Sequence, residues 1–227
     1  MRRLILFDID GTLVRGGPAK VAFETAMLET YGTMGDVHRV SFAGKTDPQI
    51  ARELLSGAGF EEQAVNAGFP ELWERYLGYL RAGLGAEPMN VLAGVCELLD
   101  ALVAVEGVAL GLVTGNIAGG AELKLESAGL WKRFAVGSFG SDHEERDYLP
   151  AIALERARAH WRAELPAHEA VIVGDTPRDV ACGRAGGTRT LAVATGSFEP
   201  SALRAAGADH VVEDLSATER MVELLTA

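Results

Sequence analysis

Four apolar residues, Leu4-Ile5-Leu6-Phe7, run straight into Asp8-Ile9-Asp10-Gly11-Thr12, and this junction restricts the fold more than any other stretch. An apolar run without polar alternation suits a strand buried on both faces, as in a parallel sheet. Gly11-Thr12 then reads as the loop that ends it. In open α/β sheets ligands bind beyond the carboxyl ends of the strands. Asp8 and Asp10 therefore fall where such folds do their chemistry. Side chains along a strand alternate with period two, so both acids can point the same way. Two carboxylates that close repel and call for a cation beside them.

The pattern repeats further along. Apolar runs at 108–113, 134–139, 170–173 and 190–194 each read as a strand, with a short edge strand at 210–212. Helices are expected at 95–105, 121–128, 149–161, 180–185 and 217–225. Strand alternating with helix means a parallel, doubly wound sheet, a Rossmann-like α/β core. One stretch breaks the alternation. From residue 19 to 88 only helical spacing is visible, as in Val21, Phe23, Ala26, Met27 and Tyr31. A second helix is expected after Pro48, with Asp47 as its N-cap, and a third over 71–84. This stretch is read as an α-helical cap inserted into the core. Residues 1–15 and 89–227 then form the core and 16–88 the cap, with Gly16-Gly17 and Glu87-Pro88 as hinges.

Composition narrows the function. A net charge of −11 over 227 residues argues against nucleic acid as a partner. Cys96 and Cys182 form no CxxC pair or Cys/His cluster, which argues against a disulfide framework or a structural zinc site and suits a reducing cytoplasm. Met1-Arg2-Arg3 before an apolar run hints at a leader, but Asp8 and Asp10 cut that run short. No apolar run is long enough for a membrane helix. The expected setting is a cytoplasmic protein, a monomer or homodimer, that acts on a small molecule.

Three strand ends carry polar groups: Asp8 with Asp10, Thr114 with Asn116, and Asp175 with Asp179. Singly, each could be an N-cap or a solvated helix residue. Together they converge on one sheet edge. The motifs "DIDGTLV", "VTGN" and "GDTPRDVACGRAGG" resemble, in order and spacing, the haloacid dehalogenase-like hydrolase superfamily. Within it they are similar to the capped phosphatases of the phosphoglycolate phosphatase type.

The resemblance implies a Mg²⁺-dependent phosphatase that cleaves the phosphomonoester of a small metabolite. Asp8 would be the nucleophile, giving an aspartyl-phosphate intermediate. Asp10 would protonate the leaving alcohol and later deprotonate water. The Asp8 and Asp175 carboxylates and the Asp10 backbone carbonyl would hold Mg²⁺, which favours oxygen ligands. Asp179 would orient the groups around the metal. The Thr114 hydroxyl and the amides of Gly115 and Asn116 would bind phosphoryl oxygens.

One position departs from the family pattern. A lysine is usual before the helix that precedes the GD strand, and here the region reads Ser141-Asp142-His143-Glu144-Glu145-Arg146. Arg146 is expected to stand in, as a planar fork rather than a point charge. Lys124 is a second candidate, although its place in a helix favours a surface role. In the cap, Lys45 of Ala43-Gly44-Lys45-Thr46-Asp47 is a candidate for binding a substrate carboxylate or second phosphate. Alternatives on the same nucleophile are a phosphonatase, with Lys20 or Lys45 forming a Schiff base, and a sugar-phosphate mutase. A non-catalytic metabolite-binding module is a further alternative on the same fold.

Overall fold

A computed structural model describes residues 3–227; residues 1–2, the start of the expected core segment, lie outside the described residues. Its centre is β1 (Arg3–Phe7). Around it β4 (Val108–Thr114), β5 (Val136–Phe139), β6 (Ala170–Gly174), β7 (Arg189–Val193) and β8 (His210–Val212) complete a six-stranded sheet. The order is β5-β4-β1-β6-β7-β8 and every pairing is parallel. The chain steps outward on one side of β1 and then on the other. The switch point, where ligands bind in doubly wound sheets, is therefore at the end of β1.

Both faces of β1 are covered, which explains its unbroken apolar run. Ile5 and Phe7 join the apolar cluster that includes Leu98, Leu102 and Leu125. Leu4 and Leu6 join the other, with Leu149, Leu154 and Ile172. The period of two along the strand thus divides the core into two layers. Helices α4 (Val95–Val103), α5 (Ala118–Ser127) and α9 (Thr218–Thr226) supply the first layer. Helix α6 (Leu149–Trp161) and Cys182 of α7 (Pro177–Ala185) supply the second. Helix α8 (Pro200–Ala205), which the sequence reading did not anticipate, packs Leu203 beside Val180 and Ala192.

Three helices lie between β1 and β4: α1 (Ala19–Tyr31), α2 (Asp47–Gly57) and α3 (Glu62–Leu84). Phe23 of α1 makes edge contacts with Phe42 and Tyr76 and lies against Trp73, which ties the group together. The chain enters and leaves this group through a two-stranded antiparallel ladder, β2 (Val14–Arg15) with β3 (Asn90–Val91). That ladder is too short to leave a sequence signal.

Two local expectations are corrected. Helix α3 begins at Glu62 rather than 71 and runs through Pro70. An interior proline costs about 3 kcal/mol. Burial of Val65, Leu72, Tyr76 and Leu80 along one side outweighs it. The N-cap of α2 is Thr46, not Asp47: the Thr46 hydroxyl accepts the Gln49 N–H at 3.2 Å, and Asp47 is used elsewhere.

Candidate active site

The loop after β1 turns at once. Gly11 donates its N–H to the Val14 carbonyl (2.8 Å), and Leu13 and Val14 donate to Ile9 (2.9 and 3.1 Å). Gly11 has a φ of +82°, and a Cβ there would run into the Asp175 carboxylate. The glycine lets the loop after β1 lie directly against the acid after β6. Thr12 then donates its hydroxyl to Asp175 Oδ1 at 3.2 Å.

Asp8, Asp175 and Asp179 are buried, and each places a carboxylate oxygen within 4.8 Å of the others. Both oxygens of Asp179 are engaged. Oδ2 accepts the Thr176 N–H (2.9 Å) and hydroxyl (2.7 Å) in a capping box at the start of α7. Oδ1 accepts Arg146 Nη2 at 2.5 Å. Asp179 is therefore not a solvated helix residue: the capping box turns it inward, beside Asp8 and Asp175. The Thr-x-x-Asp spacing at Thr176–Asp179 is a signal that could have revealed this.

Arg146 sits in the single helical turn that leads into α6, buried to 5% exposure. Its Nη2 lies 3.0 Å from Asp8 Oδ1, and its Nη1 donates to the Gly44 carbonyl at 3.2 Å. The guanidinium therefore spans two acids and the segment before α2. Those acids hold the arginine's own pKa above its ordinary value, against the opposing effect of burial.

The expectation that Lys124 lies at the surface is overturned. It is on the inward side of α5 with Ala121 and Leu125, and its side chain is 6% exposed. Its Nζ donates to Asp10 Oδ2 and to Asn116 Oδ1, both at 2.7 Å. Asn116 Nδ2 donates to the same Asp10 oxygen (2.8 Å) and to Thr114 Oγ1 (2.9 Å). Asp8 and Asp10 thus each have a cation of their own, and the pairing of Lys124 with Asp10 is the one the linear sequence does not show.

Burial pushes the Asp8 carboxyl up to about 6, with Asp179 and Asp10 adding to the rise and Arg146 opposing it. Burial likewise pushes Asp175 up to about 8, reinforced by Asp179 and Asp8. This is the signature of carboxylates in a low dielectric with too little positive charge. An all-oxygen donor set with that deficit fits a hard divalent cation.

Asp8, Asp10, Asp175, Arg146 and Lys124 line a cavity of about 380 Å³. The other walls come from the inserted helices and their loops, including Phe23, Phe42, Lys45, Asp47 and Tyr76. The segment before α2 is fastened to the sheet edge. The Asp47 N–H donates to the Gly115 carbonyl and its carboxylate accepts the Ile117 N–H, both at 2.8 Å. The Thr46 hydroxyl donates to the Glu144 carbonyl at 2.6 Å. A Cβ on Gly115 would strike the Lys45 carbonyl, so the contact demands glycine. Lys45 lines the cavity but pairs with Glu53 of α2, so its charge is matched within the helical group. Lys20 also lines the cavity and lies 3.8 Å from Glu24. The fastening by Asp47 and Thr46 escaped sequence reasoning because their partners lie far along the chain.

Fold and site together define a class: a doubly wound α/β enzyme with a carboxylate-rich centre at its switch point. The chain belongs to the haloacid dehalogenase-like hydrolase family, which it matches over residues 5–193, and it is a phosphatase of that family. It is 31% identical over 198 residues to a phosphoglycolate phosphatase of Xanthomonas campestris, covering 86% of this chain and 84% of the relative. It is 28% identical over 208 residues to an N-acetylmuramic acid 6-phosphate phosphatase of Pseudomonas putida, covering 87% and 85%. The structure of a predicted phosphoglycolate phosphatase from Haemophilus somnus superposes with a TM-score of 0.69 at 19% identity, covering 96% and 97%. Phosphatases of this family generally use a divalent metal. Among the described residues no helix is long and apolar enough to cross a membrane.

Proposed function

We propose that this chain is a Mg²⁺-dependent phosphatase of small-metabolite phosphomonoesters that transfers the phosphoryl group to Asp8. The observation that carries the reading is the pair of acids lining the cavity, each matched to its own cation: Asp8 to Arg146 and Asp10 to Lys124. A nucleophile and an acid–base group need different environments, and two separate cations supply them.

In this reading the Asp8 carboxylate attacks phosphorus and the bond from phosphorus to the leaving oxygen breaks. Asp10, carrying a proton, gives it to that oxygen, and the alcohol departs. The Asp10 carboxylate then takes a proton from water as the water oxygen attacks phosphorus. The bond to Asp8 breaks, which releases inorganic phosphate and restores the carboxylate. The Thr114 hydroxyl and the amides of Gly115 and Asn116 receive phosphoryl oxygens. Arg146 offsets negative charge at Asp8. The Asp8 and Asp175 carboxylates and the Asp10 carbonyl would hold Mg²⁺, which when bound neutralises charge on the phosphoryl group. Asp179, held by Thr176 on one oxygen and by Arg146 on the other, orients Arg146 beside Asp8.

Residues 16–88 act as the cap that selects the leaving group and excludes water. A cavity of about 380 Å³ suits a small metabolite. The relatives act on different phosphoesters, so the substrate panel should include both phosphoglycolate and N-acetylmuramic acid 6-phosphate.

The test is phosphate release from a panel of phosphorylated metabolites with Mg²⁺ present. Turnover should vanish with EDTA, return with Mg²⁺, and fall to background in Asp8→Asn. A panel without phosphate release, or full activity in Asp8→Asn, overturns the reading.

A further inference from the structure

Lys124 is a buried cation to which the chemistry above gives no task beyond its charge. An ammonium is kept out of water only where its charge and its N–H groups are matched. Here two of its three donors are directed to Asp10 Oδ2 and Asn116 Oδ1. The Asn116 amide closes the arrangement by donating to the same Asp10 oxygen at 2.8 Å. Lys124 and Asn116 therefore grip one oxygen of Asp10 from the protein side, and Asn116 is itself anchored to Thr114 Oγ1 at 2.9 Å. The Asp10 side chain stays 46% exposed, against 6% for Lys124. Oδ2 is held by two protein donors, and the Asp10 side chain lines the cavity. Arg146 serves Asp8 and Asp179, so Asp10 is left to Lys124.

We infer that Lys124, with the Asn116 side chain, is a positioning residue for the acid–base step: it clamps Asp10 Oδ2 so that Oδ1 exchanges the proton. Lys124 stays an ammonium throughout and moves no proton itself. The proton passes from Oδ1 to the leaving oxygen in the first half-reaction and from water to Oδ1 in the second. The inference rests on the proposed phosphatase reading.

Leaving-group dependence tests it. Nitrophenolate departs without a proton, whereas an alkoxide needs one. The parameter is kcat/KM, which covers steps through departure of the leaving group. Lys124→Met should lower kcat/KM for an alkyl phosphate by about 10–100-fold, a share of the ~10²–10⁴ that acid–base catalysis contributes. That loss should be at least about tenfold greater than the loss on p-nitrophenyl phosphate. In an Asp10→Asn background the same substitution should change the alkyl rate by less than about twofold, because Lys124 acts through Asp10. Asn116→Ala removes the other half of the clamp and should show the same leaving-group dependence, which keeps the test available if Lys124→Met does not fold.

Equal losses on both substrates, or an undiminished effect of Lys124→Met beside Asp10→Asn, overturn the inference while the wild type still turns over. A wild type inactive on both substrates overturns the phosphatase reading itself, and this inference with it.

Discussion

Arg146 places Nη2 3.0 Å from the Asp8 carboxylate, with both side chains buried. The same nitrogen meets Asp179, and the second arm of the fork reaches the Gly44 carbonyl. One planar group thereby neutralises the expected nucleophile, ties it to α7, and holds the segment that fastens the inserted helices. A lysine would supply the charge and three donors on one nitrogen, but not two nitrogens set apart on a planar fork.

Truncation of that arginine should be costly. Arg146→Met leaves Asp8 and Asp179 buried beside each other without compensation and should lower stability by about 3–5 kcal/mol. Arg146→Lys keeps the charge but loses the fork, and should retain most of the stability while kcat falls by about tenfold or more. Urea denaturation and steady-state kinetics check the pair. An Arg146→Met protein as stable as wild type would contradict the bridging role.

Metal binding should release protons. In the metal-free protein the Asp8 carboxyl is pushed up to about 6 and Asp175 to about 8. Both must be ionised to ligate, so apparent Mg²⁺ affinity should rise with pH from about 6 to 8. Calorimetry at pH 7 in two buffers of different ionisation enthalpy measures the release directly. Identical heats in the two buffers would refute it.

Asp47 provides a second pH effect: it lines the same cavity but belongs to the inserted helices. Burial raises its carboxyl from 3.8 to about 6, with Lys124 and the Ile117 N–H opposing. A raised carboxyl favours the folded state while protonated. Its contribution is fully present below about pH 4 and is lost as pH rises through about 6. Asp47→Asn can still accept the Ile117 N–H and never carries the buried charge. It should therefore be more stable than wild type at pH 7.5, by up to about 3 kcal/mol, with the gap closing near pH 4. Thermal melts at the two pH values decide; an equal difference at both removes the argument.

Gly115→Ala probes the seam between the inserted helices and the sheet edge. Its Cβ would collide with the Lys45 carbonyl, so the segment before α2 must move away. The Asp47 N–H to Gly115 carbonyl bond should weaken with it. The expected result is a loss of about 1–3 kcal/mol, in the range for overpacking, together with a raised KM. An unchanged melting temperature and KM would show that the seam gives way freely.

The residues along the chain were enough to place the strands of the main sheet and the acids at their ends. An apolar run of four or five residues ending in polar groups is a local pattern, and burial on both faces of β1 is its direct consequence. The same locality made Asp8, Asp10, Thr114, Asp175 and Asp179 legible as a set, because each follows or ends a strand that the sheet order brings to one edge. Arg146 could be named as the stand-in for the usual lysine from its position before α6. Asp8 could be foreseen as one partner, whereas Asp179 and the Gly44 carbonyl could not.

What only tertiary structure decided is how the charges pair and where helices override local rules. Lys124 looked like a surface residue because helical spacing alone does not say which side meets the sheet. Packing of α5 turned it inward onto Asp10. Asp47 looked like a cap because capping is local, while its actual partners, Gly115 and Ile117, come from another loop. Helix α3 continued through Pro70 because its apolar side gains more from burial than one lost hydrogen bond costs. Periodicity and end signals are properties of neighbours in sequence. Matching a buried charge to its counter-charge depends on distances between segments, and those exist only once the chain has folded.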